Sequence, residues 1–238
     1  MRIWVARPEP GATRTGQRLV AMGLTPLVAP VLTICPTGSA LPEGAFAGLL
    51  LTSANGVAAL NAADRMRFAT IPVFAVGGRT ATLARRAGLA DVREAGGDAV
   101  RLAALVCASL PAGSALLHVT GAEGKTEPAL SLRAAGHPVT AVVAYAAEAQ
   151  PVLPPAVADA LAARPPSLDA VLHYSRRSAE TALALTRQAG RSGAFGVLRH
   201  YCLSGDVAAP LVEAGFATCL VAARPDEETL LAGLMAGT

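Results

Sequence analysis

Residues 4–28 read WVARPEPGATRTGQRLVAMGLTPLV, and residues 117–141 read LHVTGAEGKTEPALSLRAAGHPVTA. At a constant offset of 113 the identical positions of the two stretches include Gly11 with Gly124, Leu19 with Leu132, and Gly23 with Gly136. Each stretch reads as a short apolar strand, a turn, a helix closed by a glycine, and a second strand. This order is typical of a βαβ unit, whose two strands lie parallel in one sheet.

A second kind of unit also occurs twice. The strand, glycine turn and helix at 73–88 match residues 200–215 at an offset of 127. Each copy follows another strand that ends in a helix-capping turn, LLLTSANGV at 49–57 and AVLHYSRRSA at 170–179. The two kinds of unit alternate along the chain. An internal duplication of this kind predicts an α/β protein with two similar, doubly wound parallel-sheet domains.

The repeats leave the pairing of the units open. Sequential pairing divides the chain near residue 112. Interleaved pairing joins residues 1–35 with 168–238 as one domain and leaves 36–167 as the other. The segments 36–42 and 151–166 are rich in proline, as linkers between domains often are.

Composition excludes several classes of function. The net charge is +3, with a single lysine and no cluster of basic and aromatic residues, so we expect no nucleic-acid partner. No apolar run approaches the ~18 residues of a membrane span, and no signal peptide is visible at the start of the chain, so the cytoplasm is the expected location. The four cysteines form no CxxC pair, which predicts no metal site and four small buried side chains.

Small polar residues follow the predicted strands, at the edge where open α/β sheets bind ligands. They occupy five turns: Thr52, Ser53 and Asn55; Gly78 and Thr80; Thr120 and Gly121; Ser175 and Arg176; and Ser204. Their amide groups and hydroxyls suit a small molecule with many carboxylates. The alternative for each turn taken singly is ordinary helix capping.

Common catalytic and cofactor motifs are missing. The sequence contains no GxGxxG and no GxxxxGK[ST], which disfavours a nicotinamide-dependent oxidoreductase, and no GxSxG or HExxH. The four histidines have no partner spacing that indicates catalysis. Tyr145 has two interpretations: an aromatic residue of a strand, or a donor to a leaving hydroxyl.

The order of these stretches resembles the uroporphyrinogen-III synthase family over nearly the whole chain. The resemblance is carried by ARPEPGA, MGLTPLVAPVL, LLLTSANGV, PVFAVGGRTATLARRAGL, LLHVTGAEGKTEPALSLRAAGHPVTAVVAY, DAVLHYSRRSA and YCLSGDVAAPLVEAGF. It implies the interleaved pairing, a two-stranded β linker and an active cleft between the domains. It also implies a cofactor-free reaction in which linear hydroxymethylbilane loses water, inverts ring D and closes to uroporphyrinogen III.

The resemblance further assigns residues. Tyr145 would assist the loss of water. The substrate-binding positions would be Arg7, Thr52, Ser53, Asn55, Gly78, Thr80, Lys125, Ser175, Arg176 and Ser204. A monomer is expected, with transient contact to the enzyme that produces hydroxymethylbilane. The sequence departs from the family pattern at Ser175-Arg176-Arg177 and at Val207, where a threonine is common. A non-catalytic, two-domain cytosolic protein that binds an acidic small molecule is the alternative function.

Overall fold

The computed structural model describes residues 1–124 and 126–236. The strands in this part of the chain are β1 (Arg2–Val5), β2 (Thr25–Val28), β3 (Leu32–Pro36), β4 (Gly48–Leu51), β5 (Val73–Ala75), β6 (Val92–Glu94), β7 (Leu116–Gly121), β8 (Val139–Ala149), β9 (Ala170–His173), β10 (Arg199–Cys202) and β11 (Cys219–Val221). The helices are α1 (Gly11–Ala21), α2 (Ala54–Ala59), α3 (Ala62–Arg67), α4 (Gly78–Arg86), α5 (Ala99–Ser109), α6 (Ala129–Ala134), α7 (Pro155–Ala162), α8 (Arg176–Gln188), α9 (Ser192–Gly196), α10 (Gly205–Glu213) and α11 (Glu227–Ala236).

The strands form two sheets with the same internal order. The five-stranded sheet runs β2-β1-β9-β10-β11, and all of its pairs are parallel. The six-stranded sheet runs β3-β8-β7-β4-β5-β6, and the pairs from β8 to β6 are parallel. The predicted fold class, α/β with two doubly wound parallel sheets, is confirmed. Each sheet combines one repeat of the first kind with a repeat of the second kind from the other half of the chain.

The chain divides into two compact units, Met1–Thr33 with Glu148–Thr238, and Ile34–Ala147. The boundary predicted at 167/168 differs from this division. The proline-rich segment 151–166 contains α7, whose Val157, Ala160 and Leu161 are buried, and α7 packs against α9 of the first unit. Pro154 and Pro155 stand at the start of α7, where proline is favoured, so proline in this segment marks a helix start.

An inner strand of each sheet is mostly apolar and forms part of the hydrophobic core of its unit. Ile3, Trp4 and Val5 are fully buried, as expected for a parallel strand covered by helices on both faces. The indole N–H of Trp4 donates to the carbonyl of Ala29 at 2.7 Å, so this large side chain is buried without an unpaired donor. In the second unit Leu116, Leu117 and Val119 of β7, the strand that corresponds to β1 in the repeat, are likewise fully buried.

The cysteine prediction is partly wrong. Cys202 is buried, but Cys35 and Cys219 are half-buried and Cys107 is exposed on α5. Composition alone does not report which face of a helix a small apolar residue takes. In the described residues, no group of three or more His, Cys, Asp and Glu side chains is placed to hold a metal ion. None of the described helices is long and apolar enough to cross a bilayer.

Candidate active site

Each sheet has one reversal point, where two neighbouring parallel strands are followed along the chain by strands on opposite sides of the sheet. In the five-stranded sheet this point lies between β1, which continues to β2 on one side, and β9, which continues to β10 on the other. In the six-stranded sheet it lies between β7 and β4. In open α/β sheets a crevice forms beyond the carboxyl ends of the strands at such a point, and ligands bind there.

The predicted site residues cluster at these edges. In the first unit Arg7 follows β1, Ser175 and Arg176 follow β9, and Ser204 follows β10, and these three strands are neighbours. In the second unit Thr52, Ser53 and Asn55 follow β4, Gly78 and Thr80 follow the adjacent β5, and Tyr145 lies in β8. Lys125 lies outside the described residues. The fold thus brings the other ten predicted residues to two sheet edges; their contacts with a substrate remain predictions.

Tyr145 lies at the reversal point of the second unit, in contact with a residue that follows β4 and with the last residue of β7. Its hydroxyl lies 2.7 Å from the Ser53 Oγ. Its ring covers Gly121 so closely that a Cβ there would lie 2.5 Å from a ring carbon. Its carbonyl accepts the Ala122 N–H at 2.9 Å. The phenol is therefore held by its ring, its hydroxyl and its backbone, and glycine at 121 is what permits this position.

Thr52 and His118 form a second polar contact at the same point. The Thr52 hydroxyl lies 3.2 Å from the His118 Nε2, on the neighbouring strand β7. Burial, together with the positive charge of Arg133, lowers the pKa of His118 to about 4. His118 is therefore neutral at pH 7. This histidine was not predicted as part of the site, because nothing in the sequence indicates that strand β7 pairs with β4.

All three predicted serines are helix N-caps. The Ser53 Oγ accepts the N–H groups of Asn55 and Gly56, at 3.1 and 3.3 Å. The hydroxyls of Ser175 and Ser204 cap α8 and α10 in the same manner. The capping alternative is thus correct for all three as a structural role, and only Ser53 adds a contact with a tyrosine. Val207, the position where the family often has threonine, is buried in the first turn of α10.

Arg7 belongs to an ionic cluster that the sequence did not reveal. Its Nη1 lies 3.1 Å from the Glu227 Oε1, and its guanidinium stacks on the Tyr174 ring at 3.9 Å. Arg18 binds the other carboxylate oxygen of Glu227 at 2.9 Å. The hydroxyls of Thr15 and Tyr174 both donate to Oε1, the second at 2.8 Å. These five residues are called the Glu227 cluster below.

The protonation states of the Glu227 cluster follow from its contacts. Burial by itself raises the pKa of Glu227, but hydrogen bonds from Thr15 and Tyr174 and the adjacent guanidinium groups outweigh it, so the pKa lies below its ordinary value. Burial, reinforced by the negative charge of Glu227, raises the pKa of Tyr174. At neutral pH the cluster therefore holds one carboxylate, two guanidinium groups and a protonated phenol.

Two other predicted binding positions also face carboxylates of the chain itself. Arg176 pairs with Glu180 at 2.9 Å and with Asp206 at 3.2 Å on the exposed start of α8. Glu94 reaches the first turn of α4, where a Cβ at Gly78 would lie 3.1 Å from its Oε1. An acidic ligand that approached these positions would have to replace an internal carboxylate.

The fold and these two edges define a class: a two-unit α/β protein in which each doubly wound sheet has a polar edge lined by capped helix N-termini. Within that class the sequence assigns a family. A family model described as uroporphyrinogen-III synthase HemD matches residues 13–232, and the chain therefore belongs to the uroporphyrinogen-III synthase family. The family match favours the enzyme over the alternative of a non-catalytic binding protein.

One solved structure supports this fold. The uroporphyrinogen-III synthetase of Helicobacter pylori 26695 is 16% identical and has a TM-score of 0.66, with 100% of this chain and 99% of that chain covered. Two Thermus thermophilus structures are also similar. A mutant uroporphyrinogen III synthase has 18% identity, coverage of 99% and 98%, and a TM-score of 0.49; a uroporphyrinogen III synthase has 20% identity, coverage of 99% and 98%, and a TM-score of 0.45. None of the curated proteins matches the chain significantly.

Proposed function

We propose that this protein converts linear hydroxymethylbilane to uroporphyrinogen III, with loss of one water and inversion of ring D. The observation that carries this proposal is the family match over residues 13–232. The reaction breaks one carbon–oxygen bond and joins carbon atoms of the pyrrole rings without net oxidation or reduction. It therefore requires no redox cofactor, and the protein's task is to position the chain ends.

The proposed substrate is a polycarboxylate, which the candidate edges could bind through backbone amides, hydroxyls and arginines. Arg7 and Arg176 already hold internal carboxylates. A substrate carboxylate would exchange with Glu227, Glu180 or Asp206 and gain only the difference between the two interactions. Helix N-termini at Ser175 and Ser204 supply N–H groups and a favourable dipole without such an exchange.

Tyr145 is the proposed assistant in the loss of water. Its phenol would donate a hydrogen bond or proton to the departing hydroxyl of the substrate. It is held at the reversal point of the second unit by Gly121 and Ser53.

We expect Tyr145→Phe to lower kcat by about tenfold, less than the ~10²-fold or more typical of a full general acid because the role is auxiliary, with KM changed by less than about twofold. The phenylalanine ring keeps the packing on Gly121, so the denaturation midpoint should stay within a few degrees of that of the unmodified chain. Initial rates of type III isomer formation measure kcat and KM. Unchanged turnover would remove Tyr145 from the mechanism.

The function itself is tested with freshly prepared hydroxymethylbilane. The products are oxidised, and the type I and type III isomers are separated. Enzyme activity gives type III above the spontaneous type I background. Formation of type I alone, by folded protein from intact substrate, would refute the proposal and favour the binding-protein alternative.

We also infer a cytoplasmic monomer that meets the hydroxymethylbilane-producing enzyme transiently. Rapid transfer is useful because the substrate closes spontaneously to the wrong isomer. The two-stranded linker and the interdomain cleft that the resemblance implies remain predictions, as do the individual substrate contacts.

A further inference from the structure

The other hydrogen bonds of the Ser53 hydroxyl determine whether Ser53 or Tyr145 is the donor in the bond between them. A serine hydroxyl has two acceptor lone pairs and one proton. The Ser53 Oγ accepts the N–H groups of Asn55 and Gly56, which occupies both lone pairs. Its remaining capacity toward Tyr145, 2.7 Å away, is to donate. The Tyr145 oxygen is therefore the acceptor in this pair.

We propose that Ser53 is a positioning residue that leaves the phenolic proton of Tyr145 available to the substrate. Because the phenol oxygen accepts from Ser53, its own O–H does not point back at the chain along this bond. That proton is then available for the departing hydroxyl of hydroxymethylbilane. This inference rests on the proposed function, and it gives Ser53 a role exerted through Tyr145 in place of direct substrate contact.

The surroundings of the pair support a fixed direction. The Tyr145 ring packs directly on the backbone of Gly121, where any side chain would clash with it. The Ser53 cap is tied to the start of α2 by two N–H groups, so reversal of the bond would leave one of these N–H groups without its acceptor. Reversal of the bond therefore costs free energy, and the orientation of the phenol is set before the substrate binds.

The test compares two substitutions that separate the donor from the cap. Glycine is nearly as good as serine at an N-cap, so Ser53→Gly should fold and yet lack the hydroxyl. We expect it to lower kcat about tenfold, as Tyr145→Phe does, with little change in KM. Ser53→Thr retains the hydroxyl and should recover most of the turnover. Asn61→Ala removes the cap of α3 in the same unit and serves as the control for cap loss, with unchanged kcat.

A double substitution shows whether Ser53 acts through Tyr145. In Ser53→Gly/Tyr145→Phe, kcat should equal that of Tyr145→Phe alone, because the acceptor of the Ser53 proton is already gone. Losses that multiply would overturn the inference and indicate that Ser53 contacts the substrate directly. Full turnover of Ser53→Gly in an active protein would overturn it as well.

An activity-independent measurement separates this inference from the function. The chain has three tyrosines, so [ζ-¹³C]tyrosine labelling gives three ring signals, and Tyr145→Phe assigns one. Ser53→Gly should shift the Tyr145 signal, whereas Asn61→Ala should not. Absence of type III product from the unmodified chain would refute the function, and the signal would still test the hydrogen bond. An unshifted signal would overturn the inference even where activity is present.

Discussion

The free energy of unfolding should fall steeply as the pH is lowered from about 6.5 toward 4. His118, His173 and His200 are all buried, with 2%, 0% and 0% of their surface exposed. Burial lowers the pKa of His200 to about 4, as it does for His118, and it lowers the pKa of His173 well below the ordinary value, with a further decrease from His200. Between these pKa values and about 6.5, the histidines are protonated in the unfolded chain but neutral in the folded chain, so lowering the pH stabilises the unfolded state.

The contacts of the pair in the first unit show why protonation is resisted. The His200 Nε2 lies 3.1 Å from the Phe195 carbonyl and must donate to it, which leaves Nδ1 to accept from the His173 Nε2, also at 3.1 Å. The two rings are stacked, and Phe195 contacts both edge-on. A proton added to His200 Nδ1 would place two N–H groups against each other, because the His173 Nε2 already donates to that atom. A proton added to His173 Nδ1 would have no acceptor, because this buried atom has no hydrogen-bond partner among the described residues.

The expected loss is large. A histidine whose pKa is about 4 in the folded state keeps its full contribution above pH 6.5 and loses about 3 kcal/mol by pH 4. His118 and His200 alone account for about 6 kcal/mol, against a total stability of about 5–15 kcal/mol for a typical domain. His173 acts in the same direction.

Denaturant unfolding at pH 7.0, 6.0, 5.5 and 5.0 measures this loss, since ordinary carboxylates stay ionised over most of that range. The fluorescence of Trp4, the one tryptophan of the chain, reports the first unit, and circular dichroism reports both. His118→Gln should reduce the pH dependence of the second unit and leave the Trp4 transition unchanged. A free energy of unfolding that is flat from pH 7 to 5 would contradict the prediction.

The sequence predicted the fold because the repeats carry it. Gly23 and Gly136 end equivalent helices, and both take a positive φ, of 76° and 86°, that suits glycine. The sequence does not predict which repeats share a sheet. Strands from distant parts of the chain, such as β1 and β9, have no local sequence pattern that indicates which strand they pair with. The interleaved pairing was predicted from the family resemblance alone.

The candidate site was predictable only where a strand end and a helix start are adjacent in the sequence. Ser53, Ser175 and Ser204 have that signature. The Glu227 cluster does not, because Glu227 lies 220 residues from Arg7. The only sequence signal at Glu227 is an acidic first turn, which usually indicates nothing more than a favourable interaction with the helix dipole.

The second large effect is expected at Glu227. Glu227→Ala should lower the free energy of unfolding by about 2–3 kcal/mol, because it leaves a half-buried guanidinium and two hydroxyls without their acceptor. The side chains of Arg7 and Glu227 are 22% and 19% exposed, which makes this pair stronger than an ordinary surface ion pair. Glu227→Gln keeps an acceptor for Thr15 and Tyr174 and should cost about 1 kcal/mol.

The neighbouring Glu228 is the matched control, because it is exposed in the same first turn of α11. Glu228→Ala removes a comparable interaction with the helix dipole and should cost less than about 1 kcal/mol. Unfolding in denaturant at pH 7, followed through Trp4 fluorescence, measures all three variants. Equal losses for Glu227→Ala and Glu228→Ala would show that the Glu227 cluster contributes nothing beyond the dipole.

The pH dependence gives an independent check on the Glu227 cluster. Because the pKa of Glu227 is lowered by folding, its contribution is present above the pKa of the unfolded chain and is lost as the pH falls through the folded value. The difference in stability between the unmodified chain and Glu227→Gln should therefore shrink in acid. In Arg7→Ala/Glu227→Ala the combined loss should be smaller than the two single losses added, because either substitution alone breaks the same ion pair. Additive losses would mean that Arg7 and Glu227 stabilise the first unit separately, and that a substrate carboxylate at Arg7 need not displace Glu227.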